Sequence, residues 1–290
     1  MNMTKQEAKR LDKFYTKADV CKELYKKTVE ILGLTGDEWF LEPSAGSGNF
    51  SKLLKNVDAY DIKPETDGVI QADFLKLEPK RKDYITIGNP PFGNRCALAV
   101  DFFQKCATCS EAIAFVVPVT FMKWSVQSIL HQDFALIYNL QMNENSFTFL
   151  GEDFELRCCF QIWVRRDKLG DRKDLRIPSR PATSHTDFKI WQHNATEGSR
   201  KYIEEPWEIA TWRQGYKDYN NTFTRADYDW LKDKVYNTNL QFFYIQPLTE
   251  EARKIIGKMD FDKLAKRNMS TPGFGKGDFV AYYEELKREQ

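Results

Sequence analysis

The chain has 290 residues, and its 43 basic residues nearly balance its 42 acidic residues. Hydrophobic residues make up 42% of the sequence, which is enough to bury a substantial core in one or two domains, so a disordered chain is excluded. No stretch approaches the roughly 20 apolar residues of a membrane helix, and the charged N-terminal stretch lacks the apolar segment of a signal peptide. We therefore expect a cytoplasmic location and no membrane partner.

The spacing of apolar residues alternates between helical and strand periods from residue 16 to residue 117. Thr16 is placed to cap a helix from Lys17 to about Leu32, which Gly33 would end. Another helical pattern spans residues 97–105. Strands are predicted at residues 38–42, 57–61, 68–71, 84–88 and 112–117. This alternation predicts parallel strands joined by crossover helices, and hence an α/β fold.

The strand predicted at residues 38–42 runs directly into a glycine turn. Residues 39–50 read WFLEPSAGSGNF, and a helical pattern follows through Leu53 and Leu54. Small residues allow a ligand to approach the backbone closely. Because turns with two glycines are common, this stretch alone is only a weak indication of a nucleotide site.

The sequence Asn89-Pro90-Pro91-Phe92 follows the strand pattern that begins at Tyr84, so it should form a loop at the carboxyl end of a buried strand. Two prolines fix φ at about −65° and keep Asn89 extended. The Asn89 side-chain oxygen and the Pro90 carbonyl could both accept hydrogen bonds from one NH2 group, and Phe92 could stack on a flat ring. We therefore assign the chemistry to this loop, with an amino group attached to a planar ring or amide as the nucleophile.

The cysteines and histidines do not indicate metal chemistry. Cys106 and Cys109 form a CxxC pair, but structural zinc needs four ligands, and the adjacent Cys158 and Cys159 do not supply a second such pair. Six cysteines without a regular framework are typical of reduced thiols, and the chain has only three histidines. We expect no metal site.

The pattern changes after residue 134. Strand-like runs occupy residues 134–138, 146–150 and 154–164, and the last two are separated by Gly151-Glu152-Asp153. Strands this close cannot be joined by a crossover helix, so an antiparallel hairpin is predicted.

Residues 42–50, EPSAGSGNF, and residues 89–92, NPPF, together resemble motifs I and IV of the S-adenosylmethionine-dependent amino-methyltransferases. The motif order is similar to that of the gamma group of N6-adenine methyltransferases over about residues 13–164. In that group's terms, Phe14-Tyr15-Thr16 looks like motif X, Asp61 matches motif II, and Asp73-Phe74 resembles motif III. The resemblance implies a Rossmann-like methyltransferase fold with a mostly parallel seven-stranded sheet, a reversed terminal hairpin and a smaller C-terminal region.

The same resemblance implies S-adenosyl-L-methionine as the cofactor. Asp61 would accept hydrogen bonds from the ribose hydroxyls, the Asp73 carboxylate would bind the adenine amino group, and Phe74 would border the ring. The implied catalytic residues are Asn89, Pro90, Pro91 and Phe92. The implied cofactor-binding residues are Phe14, Tyr15, Thr16, Glu42, Pro43, Ser44, Ala45, Gly46, Gly48, Asn49, Phe50, Asp61, Ile62, Asp73, Phe74 and Asn89.

The reaction implied is methyl transfer to the N6 amino group of a flipped-out adenine, with DNA favoured over RNA as the partner, as in DNA methylation of the restriction-modification kind. An RNA adenine methyltransferase shares these motifs. A glutamine-amide methyltransferase of release factors uses a similar NPP motif but carries a helical domain before motif I. A non-catalytic nucleic-acid binder with the same fold is the remaining alternative, and it would fail to bind the cofactor.

The domain organisation follows from the part of the chain, about residues 13–164, that the motifs cover. We predict a methyltransferase domain at residues 1–164, a linker at 165–186, and a target-recognition region at 187–290, the last by position alone. The linker contains RRDKLGDRKDLRIPSR, residues 165–180, with seven basic residues. The glycine-rich residues 271–277 lack the spacing of a phosphate-binding loop and are interpreted as a turn or lid, with phosphate contact left open. Nothing in the sequence indicates the oligomeric state.

Overall fold

A computed structural model describes residues 12–268 and 271–288. The chain divides into two compact units, with the boundary along the chain between Pro178 and Ser179. The helices of the first unit are α1 (Ala18–Leu32), α2 (Ala97–Ala107) and α3 (Trp124–Gln127). Its strands are β1 (Phe14–Thr16), β2 (Phe40–Glu42), β3 (Val57–Asp61), β4 (Ile70–Gln71), β5 (Tyr84–Gly88), β6 (Ser110–Pro118), β7 (Phe134–Gln141), β8 (Phe147–Phe149), β9 (Glu152–Phe154) and β10 (Cys158–Arg165).

Seven of these strands form the central sheet of the first unit, in the order β4-β3-β2-β5-β6-β10-β7. Strands β2 to β6 pair in parallel, and β10 runs antiparallel to both β6 and β7. Every residue of β5 is buried, as is typical of a parallel strand covered on both faces. This strand order, with one reversed strand next to the edge, confirms the predicted Rossmann-like methyltransferase fold with a mostly parallel seven-stranded sheet.

The hairpin region differs in detail from the prediction. The run predicted as one strand at 154–164 is split between β9, which ends at Phe154, and β10, which begins at Cys158. The turn at Leu150 and Gly151, both with positive φ, joins β8 to β9. Strands β8 and β9 then leave the central sheet and form a separate three-stranded sheet with β1. The rings of Phe14, Phe149 and Phe154 pack together in that sheet, with the Phe14 centroid 4.9 Å from each of the others. The small sheet therefore fixes the segment that contains Phe14.

Two helix predictions were wrong, one at the N-terminal end of the helix and one in the type and length of the helix. Helix α1 ends at Gly33 in a left-handed conformation, as predicted, but Lys17 precedes its first residue and no side chain caps it. Thr16 cannot cap the helix because it belongs to β1. The helix predicted after the glycine turn is only a single 3-10 turn, Ser51–Leu53, since Leu54 is already extended and β3 begins at Val57.

The first part of the predicted linker, residues 165–178, belongs to the first unit. Arg176 is 8% exposed, and its guanidinium lies 5.6 Å from the centre of the Trp163 ring. That guanidinium donates hydrogen bonds to the backbone carbonyls of four residues: Gln127, Leu130, His131 and Phe134. The basic composition was misleading because an arginine fork can be satisfied entirely by backbone carbonyls.

Limited proteolysis should therefore cut the chain within residues 179–184, where all residues except Pro181 are exposed. A protease of broad specificity is required, because Arg180 precedes a proline. Fragment masses would locate the cut. Preferred cleavage within residues 174–178 would contradict the attachment of that segment to the first unit, and full resistance would contradict an accessible junction.

The second unit contains a three-stranded antiparallel sheet in the order β11-β13-β12. Its strands are β11 (Phe188–His193), β12 (Ile209–Trp212) and β13 (Phe242–Pro247), and its helices are α4 (Glu197–Arg200), α5 (Tyr228–Asn237), α6 (Glu250–Gly257), α7 (Phe261–Ala265) and α8 (Lys276–Arg288). Trp207, Trp212 and Tyr219 are buried in its core, whereas Tyr216 and Trp230 are partly exposed. Aromatic residues thus serve mainly to build this core.

All six cysteines are free and buried. Within the described residues, no group of three potential metal ligands occurs, and no helix is long and apolar enough to cross a membrane.

Candidate active site

A pocket of about 290 Å³ lies in the first unit where β2, β3 and β5 end. Open α/β sheets characteristically bind ligands at the carboxyl ends of their strands. Of the residues named from the sequence, the pocket brings together Phe14, Tyr15, Thr16, Glu42, Pro43, Ser44, Ala45, Gly46, Asn49, Phe50, Asp61, Ile62, Asp73, Phe74, Asn89 and Pro91. Gly48, Pro90 and Phe92 do not line it.

Residues 43–50, the glycine loop, follow β2 and turn sharply at two glycines. Gly46 and Gly48 have φ of +50° and +75°, a conformation that favours glycine. A Cβ atom at Gly46 would lie 2.6 Å from Cε1 of Tyr15, so the tyrosine ring packs directly on the loop backbone. Glycine at position 46 is therefore required both by the backbone conformation and by the close approach of the ring.

Glu42, the last residue of β2, is only 2% exposed. Its Oε2 accepts a hydrogen bond of 2.7 Å from the Ser51 backbone N–H. Burial raises the pKa of Glu42 to about 8, and the nearby Asp61 carboxylate contributes to this increase. A protonated carboxyl group therefore predominates at neutral pH.

Asp61, the last residue of β3, is held by two backbone groups. Its Oδ2 accepts a hydrogen bond of 2.8 Å from the Gly46 N–H, and its Oδ1 accepts one of 2.7 Å from the Lys63 N–H. Each carboxylate oxygen can accept more than one hydrogen bond, so acceptor capacity remains on the pocket side. Ile62, which follows it, is 57% exposed and presents an apolar surface at the pocket.

Asp73 and Phe74 form another part of the pocket wall. The Asp73 Oδ1 accepts a hydrogen bond of 3.3 Å from the Leu75 N–H, and its Oδ2 lies 2.9 Å from the Lys76 ammonium. Phe74 is buried, and its ring centre lies 5.9 Å from that of Phe102. A flat ligand that entered here would meet an aromatic surface beside a carboxylate.

The side-chain amide of Asn89 has a fixed orientation. Its Nδ2 donates a hydrogen bond of 2.8 Å to the Phe14 carbonyl, which can only accept, so the amide nitrogen must face Phe14. The opposite atom, Oδ1, is buried and has no hydrogen-bond partner. The Ser44 hydroxyl also donates to the Asn89 backbone carbonyl, at 3.2 Å. An unpaired acceptor on a fixed side chain is thus available at the pocket.

Phe92, which the sequence assigned to stacking, is buried in this structure. Its side chain is 9% exposed and does not line the pocket, whereas Pro91 does. In this conformation of the loop, the ring contributes to packing. Stacking on a substrate ring would require the loop to move and uncover it.

Residues 12–16, which we call the N-terminal strap, contact both ends of the NPPF loop. The Phe14 carbonyl binds Asn89, and the Asp12 carboxylate accepts a hydrogen bond of 2.7 Å from the Gly93 N–H. A Cβ atom at Gly93 would lie 2.7 Å from the Leu98 Cβ, so this turn also requires glycine. The strap therefore determines the position of the amide that we assign to the chemistry.

The strap also contacts the segment that follows β3. Lys13 Nζ and the Tyr15 hydroxyl each donate a hydrogen bond of 2.7 Å to Oε1 of Glu65. Burial alone would raise the pKa of Glu65, but these two hydrogen bonds hold it below its usual value. Burial and the adjacent Glu65 both raise the pKa of Tyr15. Lys13 and Glu65 were missed by sequence reasoning because neither belongs to a recognisable motif.

No protein-family model and no curated protein matches the chain. Solved structures match with low identity. A candidate class I S-adenosylmethionine-dependent methyltransferase of Listeria monocytogenes matches with 10% identity and a TM-score of 0.46, over 61% of this chain and 66% of that chain. A candidate RNA methyltransferase of Pyrococcus horikoshii matches with 17% identity and a TM-score of 0.40, over 50% and 83%. The type I restriction-modification methyltransferase subunit of Streptococcus thermophilus matches with 10% identity and a TM-score of 0.39, over 88% and 59%.

Similarity at this level carries no argument about substrate or reaction. The strand order identifies the fold without the help of that similarity. Strand β10 lies reversed between β6 and β7, and the pocket opens where β2, β3 and β5 end. On that topology, the first unit of this chain has the Rossmann-like fold of the S-adenosylmethionine-dependent methyltransferases.

Proposed function

We propose that the chain transfers a methyl group from S-adenosylmethionine to the exocyclic N6 of an adenine in nucleic acid, with DNA as the favoured substrate. The observation that carries this proposal is the unpaired, buried Oδ1 of Asn89 on an amide whose nitrogen is bound to Phe14. An acceptor fixed in this way is suited to an NH2 group. Its hydrogen bond would become stronger as the attacking nitrogen gains positive charge.

The pocket residues fit the proposed cofactor. Thr16 Oγ1, which lines the same pocket, is a second buried oxygen without a hydrogen-bond partner. A ligand with several N–H and O–H donors would satisfy such acceptors, and S-adenosylmethionine carries an ammonium group, ribose hydroxyls and an adenine amino group. Asp61 and Asp73 would accept from the hydroxyl and amino groups, and Ile62 and Phe74 would contact the flat ring. The sulfonium supplies an already activated methyl group.

The contribution of the chain to the transfer is chiefly alignment. Adenine N6 is inaccessible to a buried pocket while the base remains stacked, and flipping the base costs on the order of a few kcal/mol. A hydrogen bond to Asn89 would offset part of that cost. The Pro90 carbonyl and the Phe92 ring would contribute once the loop moves, since neither residue lines the pocket in this conformation. Transfer leaves the nitrogen cationic, and its proton is then acidic enough to leave to water. An asparagine, which cannot act as a base, is therefore sufficient at position 89.

One comparison of substrates tests the proposal. Labelled methyl transfer from S-adenosylmethionine should be measured in parallel on duplex DNA, single-stranded DNA, structured RNA and a protein with exposed glutamines. We expect DNA to be methylated at adenine N6. Transfer to RNA alone would support the RNA alternative, and transfer to the protein would overturn the nucleic-acid assignment. Failure to bind the cofactor would overturn the methyltransferase proposal as a whole.

Asp61→Ala should weaken S-adenosylmethionine binding by about 1 to 3 kcal/mol. The substitution removes the ribose acceptor and also leaves the Gly46 N–H without its carboxylate partner. Isothermal titration calorimetry would measure the affinity. Asp58→Ala is the matched control, because Asp58 lies on the same strand and binds Lys80 and the Tyr84 hydroxyl rather than the pocket. Equal affinities of wild type and Asp61→Ala would remove Asp61 from the site.

A further inference from the structure

A second concave site, which we call the Lys276 pocket, lies wholly within the second unit. Its volume is about 380 Å³. Its polar lining side chains are those of Gln192, Asn194, Thr196, Ser199, Tyr202 and Lys276. Among the described residues, the lining contains amide and hydroxyl groups and one cation, but no carboxylate. Such a lining favours an anionic ligand over a cationic or an apolar one.

One wall of this pocket is fixed by a dense hydrogen-bond network around Ser199. Its Oγ lies 3.0 Å from Nδ1 of the buried His193 and accepts hydrogen bonds from the backbone N–H groups of Asn194 and Thr196. It also donates to the Thr196 carbonyl at 2.9 Å. Burial lowers the pKa of His193, which favours the neutral ring. Since the hydroxyl is fully used in these contacts, Ser199 is a structural residue and not a nucleophile.

From the glycine-rich segment, residues 271–277, Lys276 contributes to the lining of this pocket. Backbone hydrogen bonds hold this segment in place: the Gly273 N–H donates to the Ala265 carbonyl, and the Phe274 N–H donates to the Arg213 carbonyl. A Cβ atom at Gly273 would lie 2.7 Å from the Arg213 oxygen. The segment is therefore an anchored turn and not a lid, and Lys276, near its end, is the first residue of α8.

The positive charge of Lys276 has no acidic partner among the residues that the structure describes. Burial lowers the pKa of this lysine, and no acidic group of residues 12–268 or 271–288 acts against that effect. Two other basic residues of this unit have carboxylate partners: Arg267 forms two hydrogen bonds with Glu285, and Lys287 pairs with Asp187 at 2.7 Å. A partly desolvated ammonium group without a carboxylate would be stabilised by an anion that entered the pocket.

We propose that the Lys276 pocket binds a phosphate group. Lys276 would supply the charge, and the Gln192 and Asn194 amides with the Tyr202 hydroxyl would supply neutral donors. Amide, hydroxyl and lysine donors are the groups that proteins commonly place on phosphate oxygens. The phosphate could come from a nucleic-acid backbone, a source that rests on the proposed function, or from a free nucleotide, a source that does not.

Equilibrium binding with the full chain tests both sources without any methyl transfer, so its outcome is independent of whether the chain is a methyltransferase. The probes are a duplex DNA oligonucleotide of mixed sequence, followed by fluorescence anisotropy, and ATP and inorganic pyrophosphate, followed by calorimetry. The variants are Lys276→Ala, Lys276→Arg as the conservative rescue, and Lys254→Ala. Lys254 is an exposed lysine of the same unit on α6, so its removal changes the net charge equally.

For the DNA source, we expect Lys276→Ala to reduce the slope of log affinity against log salt by about 0.9, as for one lost phosphate contact. For the free-nucleotide source, ATP and pyrophosphate affinity should fall in Lys276→Ala while DNA binding is unchanged. In either case Lys276→Arg should retain binding, and Lys254→Ala should match wild type. The proposal is overturned if Lys276→Ala binds every probe as wild type does, or if Lys254→Ala shows the same loss. Thermal unfolding of each variant would exclude a general loss of structure, and substitution of Gln192 by Ala supplies a second, uncharged test of the same pocket.

Discussion

Asn89→Ala is expected to reduce methyl transfer on the order of a hundredfold or more while S-adenosylmethionine binding persists. The substitution removes the one buried acceptor that is fixed by the Phe14 carbonyl. In the proposed mechanism the hydrogen bond to the attacking nitrogen strengthens during transfer, so its loss would fall on the transition state rather than on the bound ground state. Turnover and cofactor affinity should be measured on the same preparation, with the best substrate from the four-way comparison.

Ser44→Ala is the matched control for this experiment. The Ser44 hydroxyl binds the backbone carbonyl of Asn89, so its removal disturbs the same loop without altering the side-chain amide. We expect only a small loss of turnover. Phe92→Ala should differ from both, since lost stacking would weaken substrate binding by about 1 to 3 kcal/mol, and the loss of a buried ring would also lower the unfolding free energy. Near-normal turnover of Asn89→Ala would contradict the proposed mechanism for any nucleic acid.

The second large effect concerns the pH dependence of stability. The pKa of Glu42 is about 8 in the folded chain, well above the ordinary value of a glutamic acid that it would regain on unfolding. Between these two values the folded chain holds a proton that the unfolded chain has released, so the unfolding free energy falls as pH rises. The slope is about 1.4 kcal/mol per pH unit, which amounts to about 4 kcal/mol between pH 5 and 8 as an upper limit.

Glu42→Gln should abolish this decline, because the amide resembles the protonated acid and retains an oxygen for the Ser51 N–H. The measurement is chemical denaturation of the cofactor-free chain at several pH values. Glu38→Gln is a control of opposite sign: hydrogen bonds from the Thr35 and Gly36 amides outweigh burial and lower the pKa of Glu38. The stabilising effect of the ionised Glu38 is lost only in acid, as the pH falls below the ordinary glutamate pKa. Parallel profiles of wild type and Glu42→Gln from pH 5 to 8 would show that Glu42 is ionised in the folded chain.

The central sheet could be predicted because its strands carry the information locally. The runs at Tyr84–Gly88 and Ser110–Pro118 are apolar on both faces, and glycine or proline marks where each one ends. Strand ends of a parallel sheet lie along one edge, so Glu42, Asp61 and Asn89 could be assigned to one site before their distances were known. Their hydrogen bonds could not be assigned, since these depend on backbone groups that no side-chain pattern reveals.

The sequence was insufficient where a contact joins distant segments. Three residues, Phe14 to Thr16, are too few to show a strand period, and their partners in β8 are Phe147 to Phe149. The burial of Phe92 was missed because a flat ring next to two prolines fits a packing role as well as a stacking role. Arg176 was assigned to a linker because its carbonyl partners belong to backbone that the sequence pattern does not mark as an acceptor site.

The pairing of the N-terminal strap with β8 has a consequence for biosynthesis. Among the described residues, the strap is translated first, yet its partner strand and the Phe149 ring are translated only after β2 to β7. A nascent or truncated chain that stops before β8 therefore has the glycine loop and the NPPF loop but lacks the strand that holds Phe14, and with it the carbonyl that orients Asn89. Contacts of such high sequence separation form late because they require closure of a long loop. Assembly of the site thus depends on near-complete synthesis of the first unit, and a partly synthesised chain would have most of the sheet without a correctly oriented amide.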